Sequence, residues 1–208
     1  MPQLASRLLV VTDRHQTKGR PLLSVLQQVL AAGAPAIQLR ERDLPLRDFL
    51  TLARELRAMT GPARSQLLIN DRLDVALALE DAGVHLRSNS LPVAVARRFM
   101  GAQRVLGVSA HSLREVEQAE AEGADYVVLG PIYETPSKQS FGPPLGLAAL
   151  GSACRLVKIP LLGIGGITPA RAREVRNAGA FGVAAIGAIL GAQDCAAATR
   201  AMLDAVSS

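Results

Sequence analysis

The sequence predicts a (β/α)8 barrel, an α/β fold built as a single compact domain over residues 1–208. Three observations carry this. Eight short aliphatic runs alternate with longer amphipathic stretches from end to end. The runs are apolar throughout instead of alternating with polar residues, as parallel strands covered on both faces are. Spread over eight units, 208 residues leave about 26 per unit, compact for this architecture but sufficient. An open doubly wound sheet is the alternative. It is disfavoured because the count leaves no edge strand and no G-x-G-x-x-G follows the first run.

The first run is Leu8 to Thr12, followed by a helical pattern from Leu22 to Ala32 that stops at Gly33. Ala36 to Arg40 is the second, with a helix from Leu46 to Met59 ended by Gly61-Pro62. Gln66 to Asn70 leads to a helix over Leu73 to Asp81. The short run Val84 to Leu86 leads to one over Pro92 to Met100. Val105 to Ala110 precedes a helix opened by Ser112 and Glu115 in the S-x-x-E spacing of a capping box. Tyr126 to Gly130 opens the one long connection, Pro131 to Pro144, before a helix at Leu147 to Cys154. Pro160 to Ile164 runs into Thr168-Pro169, an N-cap followed by a proline at the first helical position. Phe181 to Ile186 is the last strand, and Asp194 to Val206 reads as a closing helix.

Composition removes several classes of function. No apolar run approaches the ~20 residues of a membrane span, and Met1 to Val11 lacks the pattern of a secretory signal. Cys154 and Cys195 lack C-x-x-C spacing and read as free thiols of a cytoplasmic protein. The net charge is +5, but the basic residues are scattered and aromatics make up 3% of the chain, which argues against nucleic acid as a partner. Only Lys18, Lys138 and Lys158 are lysines among 23 basic residues, so each lysine merits separate attention.

Active sites of this fold lie where the strands end, and here those ends are polar. Asp13 follows the first strand, and Gln38, Arg40 and Arg42 lie at the second. Asn70 and Asp71 end the third, His85 sits on the fourth, Ser109 and His111 mark the fifth, and Thr135 and Lys138 lie beyond the sixth. Gly165-Gly166 and Ile186-Gly187 end the last two. Glycines there leave backbone N–H groups open to an anion, at the usual phosphate position of the barrel. Arg40 shares a strand face with Gln38, and an unpaired Arg facing the interior calls for an anion. Asp71 reads either as a ligand for a divalent ion or as a cap of the next helix. His111 has the chemistry of an acid/base group. His85 reads as a packed core or rim histidine, and His15 as an exposed one.

Gln38-Leu-Arg-Glu-Arg42, Ile69-Asn-Asp-Arg72, Gly83-Val-His-Leu86, Gly107-Val-Ser-Ala-His-Ser112, Gly130-Pro-Ile-Tyr-Glu-Thr-Pro-Ser-Lys138 and Gly163-Ile-Gly-Gly-Ile167 stand in order along nearly the whole chain. Together they resemble the thiamine phosphate synthase and TenI superfamily. The resemblance implies a (β/α)8 barrel that handles a small phosphorylated thiazole, commonly as a homodimer. It also implies two chemistries. The synthase joins a pyrimidine pyrophosphate to thiazole phosphate with Mg²⁺. The TenI-like tautomerase shifts a proton on thiazole carboxylate phosphate without a cofactor.

By position, Gln38, Arg40, Asn70 and Lys138 match the synthase's pyrophosphate-binding residues, Asp71 its first metal ligand, and Thr135 and Gly166 its thiazole phosphate site. Ser109, Gly165 and Ile186 join them as candidate binding residues. Three departures stand out. Arg87-Ser-Asn-Ser90 replaces a Gly-Gln-Glu/Asp-Asp stretch whose last Asp is the second Mg²⁺ ligand, Arg42 replaces a lysine, and Gly187 replaces a serine. These departures make a tautomerase the expectation, with His111 moving the proton. The synthase is the alternative, and a non-catalytic phospho-thiazole-binding or regulatory protein is a third reading.

Overall fold

The computed structural model describes residues 4, 6–135 and 143–207. Eight parallel strands, β1 (Leu8–Val11), β2 (Ala36–Leu39), β3 (Gln66–Asn70), β4 (Gly83–Leu86), β5 (Leu106–Ala110), β6 (Tyr126–Leu129), β7 (Leu161–Ile164) and β8 (Gly182–Ala185), pair in chain order into a closed barrel. Closure is made by β1 against β8, with Leu8 opposite Val183 and Val10 opposite Ala185. The helices are α1 (Leu22–Ala31), α2 (Leu46–Thr60), α3 (Leu73–Leu77), α4 (Val93–Met100), α5 (Leu113–Ala121), α6 (Gly146–Leu156), α7 (Pro169–Asn177), α8 (Gly187–Leu190) and α9 (Cys195–Ser207). Among the described residues, no helix is long and apolar enough to cross a membrane.

Strand parity divides the core into two shells. Leu8, Val10, Ile37, Leu39, Leu67, Ile69, Val84 and Leu86 face outward into the layer between strands and helices. Leu9, Val11, Ala36, Leu68, Tyr126, Val128, Leu162 and Ala184 face the barrel axis. Both faces are therefore buried, which is why the strands carry no polar alternation until they reach the mouth.

The helix starts follow the local chemistry. Ser112 accepts from the Glu115 N–H at 3.2 Å, while the Glu115 carboxylate accepts from the N–H of His111 at 2.6 Å, one residue before the cap. Thr168 accepts from the Arg171 N–H at 3.3 Å, with Pro169 in the first turn of α7.

Two elements differ from the sequence pattern. The third helix stops at Leu77 instead of Asp81, because Asp81 takes a left-handed φ of 55° and Arg57 Nε donates to the Glu80 carbonyl at 2.8 Å, pulling that segment toward α2. After β8, Ile186 leaves the extended conformation and the four-residue α8 follows, too short to register as helical periodicity. Cys195 is buried, and Cys154 is partly so.

Candidate active site

The same parity that buries Leu68 and Val128 points the later inward residues of β2 to β5 at the mouth. Gln38 and Asn70 are 3% and 7% exposed, and Gln38 Nε2 donates to Asn70 Oδ1 at 2.8 Å across β2 and β3. On the next strand His85 is buried, with Nδ1 at 2.8 Å from the Tyr126 hydroxyl and Nε2 at 2.9 Å from Ser109 Oγ. Burial drives the His85 pKa down to about 3, helped by the positive charge of Arg40, so the ring is neutral near pH 7. Tyr126 reaches His85 because β5 carries a glycine beside it: a Cβ on Gly107 would stand 2.0 Å from the Tyr126 ring. A chain of hydrogen-bonding groups, Tyr126, His85 and Ser109, thus crosses the barrel interior beneath the mouth.

On the β1–β4 side the rim is cationic. Arg40 is half-buried beside Asp13, His15, Glu41, Arg42 and Asp43, and its backbone N–H donates to Thr12 Oγ1 at 2.8 Å. Its pKa is lowered, first by burial and then by the charge of Arg42, against the opposing pull of Asp13 and Glu41. Beside it lies a cleft of about 220 Å³ that Arg42, Asn70, Asp71, Arg72 and Arg87 help to line.

Asp71 does not cap α3, whose N-cap is Arg72 with no side-chain capping bond. Its carboxylate instead accepts from Arg87 Nε at 2.5 Å, and Arg87 Nη2 contacts the same oxygen. Burial pushes the Asp71 pKa up, but hydrogen bonds from Ser90 and Arg87 and the Arg87 charge outweigh it and hold the group below its ordinary value.

The opposite rim is built of backbone. Gly165 and Gly166 take φ of +100° and +65°, and a Cβ on either would lie 2.7 Å from Pro131 Cβ or the Glu134 carbonyl, respectively. Only glycine fits this left-handed, crowded turn. With Thr135, Ile186, Gly187 and Gln16 these residues line a cavity of about 240 Å³. Gly187 opens the short α8 there, in which the Ile189 and Leu190 N–H groups donate to the Ile186 carbonyl at 3.1 and 2.9 Å. Lys138 lies outside the described residues. His111 stands at the end of β5 with Nδ1 2.6 Å from the Gly130 carbonyl. His15 is exposed, as its loop position suggests, and its Nε2 is 2.9 Å from Asp43.

Three contributors escaped sequence reasoning. Gln16 reaches the glycine rim from a 3-10 turn, Arg14–Gln16, held by its own Nε2 donating to Asp13 Oδ2 at 2.8 Å. Glu41 is buried and accepts from the Arg14 N–H at 3.1 Å, fixing the loop after β1. Tyr126 was legible only as a strand residue. For Gln16 the one available signal was Asp13, an N-cap residue type just before the turn.

Mg²⁺ takes oxygen ligands in an octahedron, with one or two protein carboxylates plus substrate oxygens. Where the resemblance expects a second carboxylate stands Ser90, itself bonded to Asp71, and Arg87 covers the carboxylate that is present. Among the described residues, no group of three or more His, Cys, Asp or Glu side chains could hold a metal ion. The residues at this rim do not fit a protein-built Mg²⁺ site.

Fold and mouth together define a (β/α)8 barrel whose mouth carries guanidinium groups on one side and glycine backbone on the other. The family model for thiamine monophosphate synthase matches residues 8–189, and the chain belongs to that family. It is 46% identical over 195 residues to the thiamine-phosphate synthase of Roseiflexus castenholzii, covering 94% of this chain and 86% of that one. It is 46% identical over 200 residues to that of Moorella thermoacetica, covering 96% and 95%. The structure of thiamine phosphate pyrophosphorylase from Pyrococcus furiosus superposes with a TM-score of 0.88 at 35% identity, covering 97% of this chain and 95% of that one.

These relatives overturn the isomerase expectation. Relatives at 38–46% identity carry the synthase name, a transferase, and the tautomerase assignment with His111 as proton shuttle is withdrawn. The departures at Arg87 to Ser90, Arg42 and Gly187 that had favoured it are substitutions within a synthase-like chain.

Proposed function

We propose that this chain is a thiamine-phosphate synthase, joining a pyrimidine pyrophosphate to thiazole phosphate and releasing pyrophosphate. The observation that carries this reading is the pair of separate anion-receptive rims. A reaction between two phosphorylated substrates needs two such sites across one mouth.

In this reading the thiazole phosphate sits on the backbone of Gly165, Gly166 and Gly187, with Thr135 beside it. The pyrimidine enters over Gln38, Asn70 and Ser109, and Arg40 and Lys138 meet its pyrophosphate. The bond between the pyrimidine methylene carbon and the pyrophosphate oxygen breaks with its electron pair going to oxygen. The thiazole nitrogen then donates its lone pair to the resulting cation and the new C–N bond forms. No proton need move in this coupling, so the step needs charge stabilisation and exclusion of water more than an acid/base residue.

Arg40 supplies positive charge where the leaving group gains negative charge. The neutral His85, fixed between Tyr126 and Ser109, holds the Ser109 hydroxyl in place without adding a cation beside the carbocation. The resemblance implies Mg²⁺ for a synthase, but Asp71, the carboxylate that matches its first metal ligand, is covered by Arg87. Small soluble substrates of this kind suit a cytoplasmic enzyme.

The test is product formation. Purified protein given both substrates should yield thiamine phosphate and pyrophosphate in equal amounts, and omission of either substrate should abolish both.

A further inference from the structure

Arg87 follows β4 directly, with its side chain 47% exposed, yet it is drawn back onto Asp71, whose side chain is 15% exposed. The two partners are held very differently. Asp71 is fixed by its backbone, which takes φ 60° and donates its N–H to the His85 carbonyl at 2.8 Å. Arg87 reaches it over a long, solvent-exposed side chain. The pair is therefore open to solvent on the Arg87 side, where a multiply charged anion can compete with Asp71 for the guanidinium.

The surroundings favour such an exchange. Arg42, Arg72 and Arg87 line the same cleft, and the charge of Arg87 already depresses the pKa of Arg40. The acidic groups nearby are otherwise engaged: Glu41 by Arg14, and Asp74 by Arg72 at 2.9 Å. An anion entering the cleft would therefore meet cations from three strand ends, Arg87 among them through an exposed side chain.

We propose that Arg87 is a pyrophosphate-binding residue of this chain, its guanidinium passing from Asp71 to the pyrophosphate of the incoming substrate. The planar fork binds phosphate oxygens by paired charge-assisted hydrogen bonds. It thereby supplies positive charge at the position where Ser90 has removed a second metal-ligating carboxylate. The identity of the ligand rests on the synthase reading above; the binding itself is measurable apart from it. The consequence is that pyrophosphate affinity persists in the absence of any divalent ion.

Titration calorimetry of the full chain with inorganic pyrophosphate, in buffer containing EDTA, tests this. Wild type should bind, Arg87→Ala should bind at least about tenfold more weakly, equivalent to about 1.4 kcal/mol, and Arg87→Lys should recover part of the loss. Arg200→Ala, which removes the same charge from α9, should stay close to wild type. Equal affinity in wild type and Arg87→Ala, or binding by wild type only when Mg²⁺ is added, would overturn the proposal. A protein that binds pyrophosphate through Arg87 but forms no thiamine phosphate overturns the synthase reading alone. One that forms product while Arg87→Ala binds unchanged overturns the Arg87 proposal alone.

Discussion

The Gln38 side-chain amide donates to Asn70 Oδ1 at 2.8 Å inside the barrel, joining the inward faces of β2 and β3 at the point where apolar core gives way to polar mouth. Gln38→Ala leaves a nearly buried acceptor without its donor. That should cost about 1–3 kcal/mol, read as a lower urea midpoint, together with a fall in kcat as Asn70 loses its orientation. An unchanged midpoint and rate would mean that the amide pair organises nothing.

Gly107→Ala should be among the most damaging small substitutions in the barrel. The added Cβ would stand 2.0 Å from the Tyr126 ring, and both strands are buried, so neither side can yield without repacking. Overpacking of this kind costs about 1–3 kcal/mol or more. Thermal melting of Gly107→Ala beside Tyr126→Phe separates the steric clash from the loss of the hydroxyl that meets His85.

His85 gives stability a defined pH dependence. Its folded pKa of about 3 lies below its unfolded value of 6.5, so between those limits the unfolded chain holds the extra proton. Unfolding free energy contributed by this group is therefore fully present above pH 6.5 and declines as the pH falls toward 3. The slope is at most about 1.4 kcal/mol per pH unit. Urea unfolding at intervals across that range should show the decline, and His85→Gln should flatten it.

The two rims should fail separately. Gly187→Asp places a carboxylate where the thiazole phosphate is proposed to sit, and should raise the KM for that substrate by about tenfold or more, equivalent to about 1.4 kcal/mol, while leaving the KM for the pyrimidine pyrophosphate close to wild type. Steady-state kinetics with each substrate varied in turn measures both. Equal rises in the two values would merge the rims into one site.

Much of the barrel was legible because parallel strands buried on both faces must be apolar on both, leaving eight aliphatic runs with nothing to imitate them. The glycine rim was legible for a related reason, since adjacent glycines at a strand end have few other uses. What escaped detection depends on contacts between distant residues. Arg87 announced itself as a missing carboxylate, but its bond to Asp71 depends on the β3–β4 register, which places Asn70 opposite His85. Gln16 lies in a single 3-10 turn, too short for periodicity, and α8 is hidden for the same reason. The tautomerase expectation failed because the departures around Arg87 are local, whereas the similarity to synthases runs along nearly the whole chain.

Under the proposed function, two phosphorylated substrates meet across one mouth and are joined there. The most direct measurement is pyrophosphate release by the purified chain with the pyrimidine pyrophosphate and thiazole phosphate supplied together and singly, in the presence of Mg²⁺. Release is expected only with both substrates, matched mole for mole by thiamine phosphate. Tight binding of both substrates with neither product formed would contradict it.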